Sequence, residues 1–286
     1  MKQKIKFISF IVAFCFVIIE ISSRYVVRSE NLMYAIFNNT TDMWLTIWQN
    51  KPNNRGELYS PVYEWHEKLG WVLKSNLDRF EFSDGVYYSS ANDGIRTNKN
   101  IKLEKDTSKY RIAVIGDSYT EGSEVSNDFT WANFLELNDP DRLEVLNFGV
   151  GGYGHGQCLI RLQNDVLKYK PDMVILGFVN CDVERNTVAF RDFAQPRFEF
   201  RNDQILLTDS IIQPVDFYKK NWPLKSMALM NLAVHNEEWK NWEYQYYLTE
   251  LLAVEMNKVS KENGIKFVLA FLPTPNELVD DYPVKN

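Results

Sequence analysis

Ile112-Ala113-Val114-Ile115-Gly116-Asp117-Ser118-Tyr119-Thr120-Glu121-Gly122 is the stretch on which the fold turns. Arg111–Ile115 is an almost continuous apolar run, too short for a helix and suited to a buried strand. Gly116-Asp117-Ser118 ends it abruptly, and a helix-like stretch follows. The sequence therefore predicts a strand-to-helix turn with a hydroxyl at its tip. A serine so placed is a candidate nucleophile.

The same texture continues downstream. Phe129–Leu137 fits a short helix and Leu143–Phe148 a second strand. Gly156–Lys168 fits a helix, with Leu159, Leu162, Val166 and Leu167 near one face. Met173–Val179 reads as a third buried strand. A mixed, proline-containing section covers 183–235. Glu237–Asn263 keeps helical spacing through Leu248, Leu251, Leu252 and Val259, and Asn263-Gly264 ends it as a helix stop. Ile265–Leu272 is a fourth strand. Strands apolar on both faces and joined by helices predict an α/β chain, a three-layer α/β/α fold with a mostly parallel sheet.

Upstream the texture differs. Lys2, Lys4 and Lys6 precede Phe7–Ile19, apolar throughout except for Ser9, and Glu20 closes the run. Roughly 15–17 helical residues span about 25 Å, slightly short of a bilayer core. A membrane anchor is favoured over a cleaved signal, since no clear small-x-small pattern follows. The three lysines should remain cytoplasmic, which puts the bulk of the chain outside the membrane, periplasmic or extracellular. Residues 1–23 are thus expected to be anchor or signal. Residues 24–108 are expected to hold a stalk helix and a small β-rich region. A loop is expected at Lys51–Gly56, and short strands at Leu69–Leu73 and Phe80–Phe82. Asn38-Asn39-Thr40-Thr41 reads as polar loop. Residues 109–286 form the α/β domain.

Composition narrows the class. A formal net charge of −6 over 286 residues gives no basic stripe for nucleic acid. Three cysteines, Cys15, Cys158 and Cys181, make no disulfide framework, and the latter two are expected to be small buried side chains. No cofactor and no metal is implied.

In an open parallel sheet, reactive groups gather at the carboxyl ends of the strands. The first strand ends in Gly116-Asp117-Ser118. The second ends in Asn147-Phe148-Gly149-Val150-Gly151-Gly152-Tyr153-Gly154, and the third in Gly177-Phe178-Val179-Asn180-Cys181-Asp182. Acyl transfer needs a nucleophile and donors for the oxyanion that develops on the carbonyl oxygen. Glycine lets a backbone N–H approach closely, and an asparagine amide adds a side-chain donor. Residues 149–154 also fit the G-x-G-x-x-G fingerprint of dinucleotide sites, but on the second strand and without an acidic residue ending the next one.

This set of strand ends resembles the SGNH (GDSL-type) hydrolases. Gly116-Asp117-Ser118 is similar to that family's first block, Asn147–Gly154 to its second, and Asn180 to its third. The resemblance covers about residues 109–272. It implies a flavodoxin-like α/β/α fold and an ester hydrolase with Ser118 as nucleophile and Gly152 and Asn180 as oxyanion donors. It implies an acyl ester as substrate, on a glycan or a lipid. The family usually carries Asn followed directly by Asp; here Cys181 intervenes and competes with Asn180 for the donor position. The family's Asp-x-x-His block, which supplies the general base, is missing. The three histidines are His66, His155 and His235, and none has Asp three residues before it. A chain shortened relative to the family pattern is the simplest expectation. The alternatives are a catalytically silent membrane-tethered module or a substitute base, for which only His155 qualifies; a glycan O-acyltransferase is the alternative reading of the activity. His155 itself is expected to be partly exposed at a helix start. Asp117 is expected to cap the helix after Ser118.

Overall fold

The computed structural model describes residues 2–29, 32, 61–188, 195–207, 211 and 242–278. The stalk helix before Gln49, the Asn38–Thr41 and Lys51–Gly56 loops, His235 and the first turn of the helix from Glu237 lie outside them.

The N-terminal helix α1 runs over Lys2–Arg28. Within it Gln3–Val26 is long and apolar enough to cross a membrane. At 1.5 Å per residue those 24 residues reach about 36 Å. That is longer than the apolar run alone predicts, because the helix continues past Glu20, whose carboxylate pairs with Arg24 one turn on at 2.9 Å.

A second compact unit comprises Leu58–Ala189, Gln195–Ile211 and Trp242–Asn286. It opens with two antiparallel hairpins. Strands β1 (Tyr63–His66) and β2 (Gly70–Leu73) form the first, and β3 (Phe80–Ser83) and β4 (Val86–Tyr88) the second. The turn at Gly70 needs a left-handed backbone, φ +86°, which glycine adopts without strain. The central sheet follows. Strand β5 (Tyr110–Gly116) leads into the one-turn helix α2 (Ser118–Glu121), and α3 (Trp131–Leu137) precedes β6 (Leu143–Asn147). Helix α4 (His155–Asn164) precedes β7 (Met173–Phe178). A third hairpin, β8 (Phe198–Arg201) with β9 (Gln204–Leu207), comes before α5 (Trp242–Glu262) and β10 (Lys266–Phe271).

All pairings in the central sheet are parallel, in the order β10-β7-β5-β6. Side chains alternate across a strand, so the two faces separate cleanly. Ile112, Val114 and Val145 pack with Ala132, Trp131 and Leu135 on the α3 face, together with Met173 and Ile175. Phe178 points the other way, and its ring stacks on His155 of α4 with centroids 4.8 Å apart. Helices α4 and α5 pack together, and α5 lies against β10. The expected α/β/α layering is therefore present. Read in chain order the sheet runs second, first, third, fourth, a flavodoxin-like winding. Its switch point lies between β5 and β7, the place where such sheets open a ligand crevice beyond their carboxyl ends. Strand β10 forms one edge, with Leu269 and Phe271 exposed among the described residues.

Candidate active site

The β5–α2 turn is built by its own side chains. Asp117 is the N-cap of α2: its backbone is extended, and Oδ1 accepts the Tyr119 N–H at 3.0 Å. This is the capping role expected from sequence. Gly122 closes the turn in the left-handed conformation, φ +78°, and donates to the Ser118 carbonyl at 2.8 Å. Buried Arg96 takes up two carbonyls at the end of the turn. Its Nη1 donates to Glu121 O at 2.7 Å and Gly122 O at 2.6 Å, and its guanidinium lies 3.6 Å from the Tyr88 ring centroid. Ser118 is held half-buried at the start of this turn, and its hydroxyl donates to Asp117 Oδ2 at 3.2 Å.

Three strand ends converge. Gly116 is paired with Gly177 in the sheet register. On the other side Phe148 N donates to Val114 O at 2.8 Å and Val150 N to Gly116 O at 3.1 Å. Neighbouring strands are about 4.8 Å apart, so Ser118, Gly152 and Asn180-Cys181 share one end of the sheet. Close packing of α2 on this end needs glycine. A Cβ at Gly177 would come 2.1 Å from Thr120 Oγ1, and one at Gly149 would come 2.4 Å from Glu121 N. Asn147 ties β6 to the same turn: Nδ2 donates to Thr120 O at 2.8 Å, and Oδ1 accepts Gly149 N at 2.9 Å.

Gly152 is half-buried with φ +83°, a conformation that a Cβ would strain. Asn180 is half-buried at the start of the 3-10 turn Asn180–Asn186, and its Oδ1 accepts the Tyr246 hydroxyl of α5 at 2.7 Å. Cys181 is exposed, against the expectation of a buried side chain, because the 3-10 turn rotates it outward while Asp182 and Val183 go in. Cys158 is buried as expected. Partial burial of the Cys181 sulfur and the Asp182 carboxylate push its thiol up to about 11, with Asp117 acting the same way. The thiol is thus protonated at neutral pH, and it lies within electrostatic reach of Asp117 and of the Tyr119 hydroxyl.

Arg185 fastens the three ends from behind. Its Nη1 lies 2.5 Å from Asp182 Oδ1 and 3.6 Å from Asp117 Oδ2, and donates to Tyr153 O at 2.9 Å. Sequence reading did not single out Arg185 or Arg96, because each acts across the tertiary structure, and it quoted Asn147 only as the start of the second strand-end block.

The histidines are accounted for differently. His155 begins α4 but is buried, which corrects the expectation of partial exposure. Its ring is sandwiched into the core on Phe178, and Nε2 has no hydrogen-bond partner among the described residues. Burial, and then the Arg185 charge, lower it to about 3, so it is neutral at physiological pH. His66 Nδ1 accepts the backbone N–H of Lys68 and of Leu69, both at 3.2 Å. Neither ring is hydrogen-bonded to Ser118. Among the described residues no cluster of histidine, cysteine and carboxylates is arranged to hold a metal ion.

A family model described as GDSL-like lipase/acylhydrolase matches residues 112–267, over half of the 286-residue chain. The chain belongs to this family. The GDSL-like match begins on β5 and ends on β10, so it contains Ser118 and all three converging strand ends. The chain is also similar to the uncharacterized lipoprotein YqeF of Bacillus subtilis (strain 168), with 30% identity over 92 residues. That alignment covers 30% of this chain and 38% of the curated relative, well under two thirds of its length. A structure described as a G-D-S-L-family lipolytic protein from Desulfitobacterium hafniense DCB-2 aligns over 58% of this chain and 61% of its own, at 20% identity and TM-score 0.33. A catalytic mutant of Axe2, an acetylxylan esterase from Geobacillus stearothermophilus, aligns over 57% and 77% respectively, at 15% identity and TM-score 0.26.

Proposed function

We propose that this GDSL-family chain is a serine acyl-ester hydrolase with Ser118 as nucleophile. The observation that carries the reading is the position of Ser118 at a capped strand-to-helix turn, with the ends of β6 and β7 beside it. The Ser118 oxygen attacks the ester carbonyl as its proton passes to water, the C–O bond to the alcohol breaks and the alcohol leaves with a proton from water, and a second water hydrolyses the acyl-enzyme, releasing the acid and restoring the serine hydroxyl. The Gly152 N–H and a donor from Asn180-Cys181 receive the oxyanion. Each such donor is worth ~3 kcal/mol in the transition state. The N-terminal helix holds the chain at a membrane, with Lys2, Lys4 and Lys6 on the cytoplasmic side and the hydrolase unit outside it. In that location the substrate is an acyl group on a cell-surface glycan, with lipid esters as the competing class.

A second reading, a catalytically silent membrane-tethered module, is favoured by one observation. Among the described residues the hydrogen-bond partner of the Ser118 hydroxyl is Asp117 Oδ2, and Asp117 is already engaged in capping and in the Arg185 contact. One reagent separates the two readings. Full-length protein in detergent is treated with a fluorophosphonate and assayed on an activated acetate ester. Labelling and turnover that disappear in Ser118→Ala support the hydrolase. A wild type that neither labels nor turns over supports the silent module.

A further inference from the structure

The peptide unit that carries the Gly152 N–H is gripped from outside the central sheet. That N–H shares a trans peptide plane with the Gly151 carbonyl and points opposite to it. Trp71 Nε1, from β2, donates to the Gly151 carbonyl at 2.9 Å. The Trp71 ring is fully buried, edge-on to Tyr153 at 5.5 Å between centroids, and Tyr153 Oη donates to the Trp71 carbonyl at 2.5 Å. The indole therefore has one place to sit, and its N–H fixes the direction of the plane.

The preceding peptide is fixed as well. Glu121, the last residue of α2, is wholly buried, and its carboxylate accepts the Tyr63 hydroxyl at 2.8 and 2.9 Å and the Ser123 hydroxyl at 2.6 Å. The Gly151 backbone lies against this group and acts on both the Glu121 carboxyl and the Tyr63 hydroxyl, lowering each against the upward push of burial. A Cβ at residue 151 would fall 2.6 Å from Tyr63 Oη and 3.1 Å from Glu121 Oε2. Glycine at 151 is thus what lets the clamp close. Tyr63 and Trp71 come from the two strands of one hairpin, and Glu121 stands three residues after Ser118.

We propose that Trp71 and Glu121 are positioning residues for the Gly152 N–H, which makes the β1–β2 hairpin a working part of the hydrolase site. A bond to a carbonyl that shares the plane of an oxyanion donor sets where that donor points and also polarises it. The carboxylate under Gly151 ties the same segment to the helical turn that carries Ser118, so nucleophile and donor keep a fixed separation. This inference rests on the serine-hydrolase reading above.

The test is the rate of fluorophosphonate reaction with full-length protein, resolved into the maximal inactivation rate and the reagent's half-saturating concentration. The phosphoryl oxygen of the reagent occupies the oxyanion position. Trp71→Phe keeps a ring but loses the donor, and a benzothienyl-alanine at position 71 replaces only the N–H. Both are expected to lower the maximal rate 10- to 100-fold with the half-saturating concentration changed less than twofold. Glu121→Gln retains an acceptor for the Tyr63 and Ser123 hydroxyls and should keep most of the rate, whereas Glu121→Leu should not. A purely structural role would reduce the folded, reactive fraction and leave the rate constant of that fraction intact. Wild-type rate constants in the benzothienyl protein and in Glu121→Leu would overturn the inference while leaving Ser118 as nucleophile. Absence of Ser118-dependent labelling in the wild type would overturn the hydrolase reading, and this inference with it.

Discussion

Arg185 stands behind the Ser118 turn with its Nη1 3.6 Å from Asp117 Oδ2. Asp117 and Asp182 are both almost entirely buried, and this guanidinium offsets their charge while also holding the Tyr153 carbonyl. Removing the cation leaves two carboxylates in a low-dielectric place. Breaking a buried ion pair from one side costs about 3–5 kcal/mol. Arg185→Met is therefore expected to lower stability by about that amount, read from urea unfolding at neutral pH. A loss below ~1 kcal/mol would show that the contact with Asp117 carries little.

The helical turn after Ser118 rests on three glycines, Gly116, Gly149 and Gly177, and Gly177 serves as the test because its φ is ordinary. Its added methyl would meet Thr120 Oγ1 at 2.1 Å, with the flexible Leu272 Cδ1 at 3.0 Å and Thr120 Cβ 3.5 Å away. Overpacking of this kind costs about 1–3 kcal/mol. Gly177→Ala should lose that much stability and slow Ser118 labelling. Thr120→Ala removes the offending oxygen, which has no hydrogen-bond partner among the described residues. The double variant should be more stable than Gly177→Ala alone. Additive losses in the thermal unfolding cycle would mean that the two residues do not meet.

Much of this was readable because it is local. The short apolar runs, the glycine after β5 and the capping aspartate determine a strand–turn–helix whatever surrounds it. The elements at 110–178 accordingly appear within two residues of their expected bounds, except that α4 stops at Asn164 rather than Lys168 and a 3-10 turn over Val166–Tyr169 completes the stretch. Four hairpin strands, Tyr63–His66, Val86–Tyr88, Phe198–Arg201 and Gln204–Leu207, were missed. All are three or four residues long and take their order from pairing partners rather than from their own pattern. The burial of His155 was missed for a related reason. A histidine after a glycine-rich turn looks solvent-facing, and only the stacking partner Phe178, 23 positions later, shows that it is core. The clamp on Gly151 was equally hidden, since Trp71 lies 80 positions from the carbonyl it holds.

The donor at the end of β7 can be assigned by exchange. Asn180 Oδ1 is committed to Tyr246, while Cys181 is exposed and acts electrostatically on Asp117 and Tyr119. A thiol is a weak hydrogen-bond donor and an amide a good one. If residue 181 is the one that faces the oxyanion, Cys181→Asn should raise the rate of activated-ester turnover at least tenfold, and Asn180→Ala should change it less than threefold. The reverse pattern would assign the position to Asn180.

His155 gives the sharpest pH signature. In the folded chain it is lowered to about 3, first by burial and second by the Arg185 charge, while its unfolded value is about 6.5. Above pH 6.5 both states hold it neutral, and it contributes no pH dependence. Between pH 6.5 and 3 the unfolded chain takes up a proton that the folded chain refuses. Stability should therefore fall with acidification by about 1.4 kcal/mol per pH unit in that window. His155→Phe keeps a ring against Phe178 and removes the titration, so the difference in unfolding free energy between wild type and variant should change at that slope and flatten above pH 7. The same variant decides whether His155 serves Ser118 as a base. The His155 ring is buried on Phe178 with Nδ1 facing Asn186 Nδ2 at 3.4 Å, and it makes no hydrogen bond to Ser118. Fluorophosphonate labelling of His155→Phe at pH 7.5 should match the wild type within twofold, and its loss in a fully folded variant would reinstate His155 as the catalytic base.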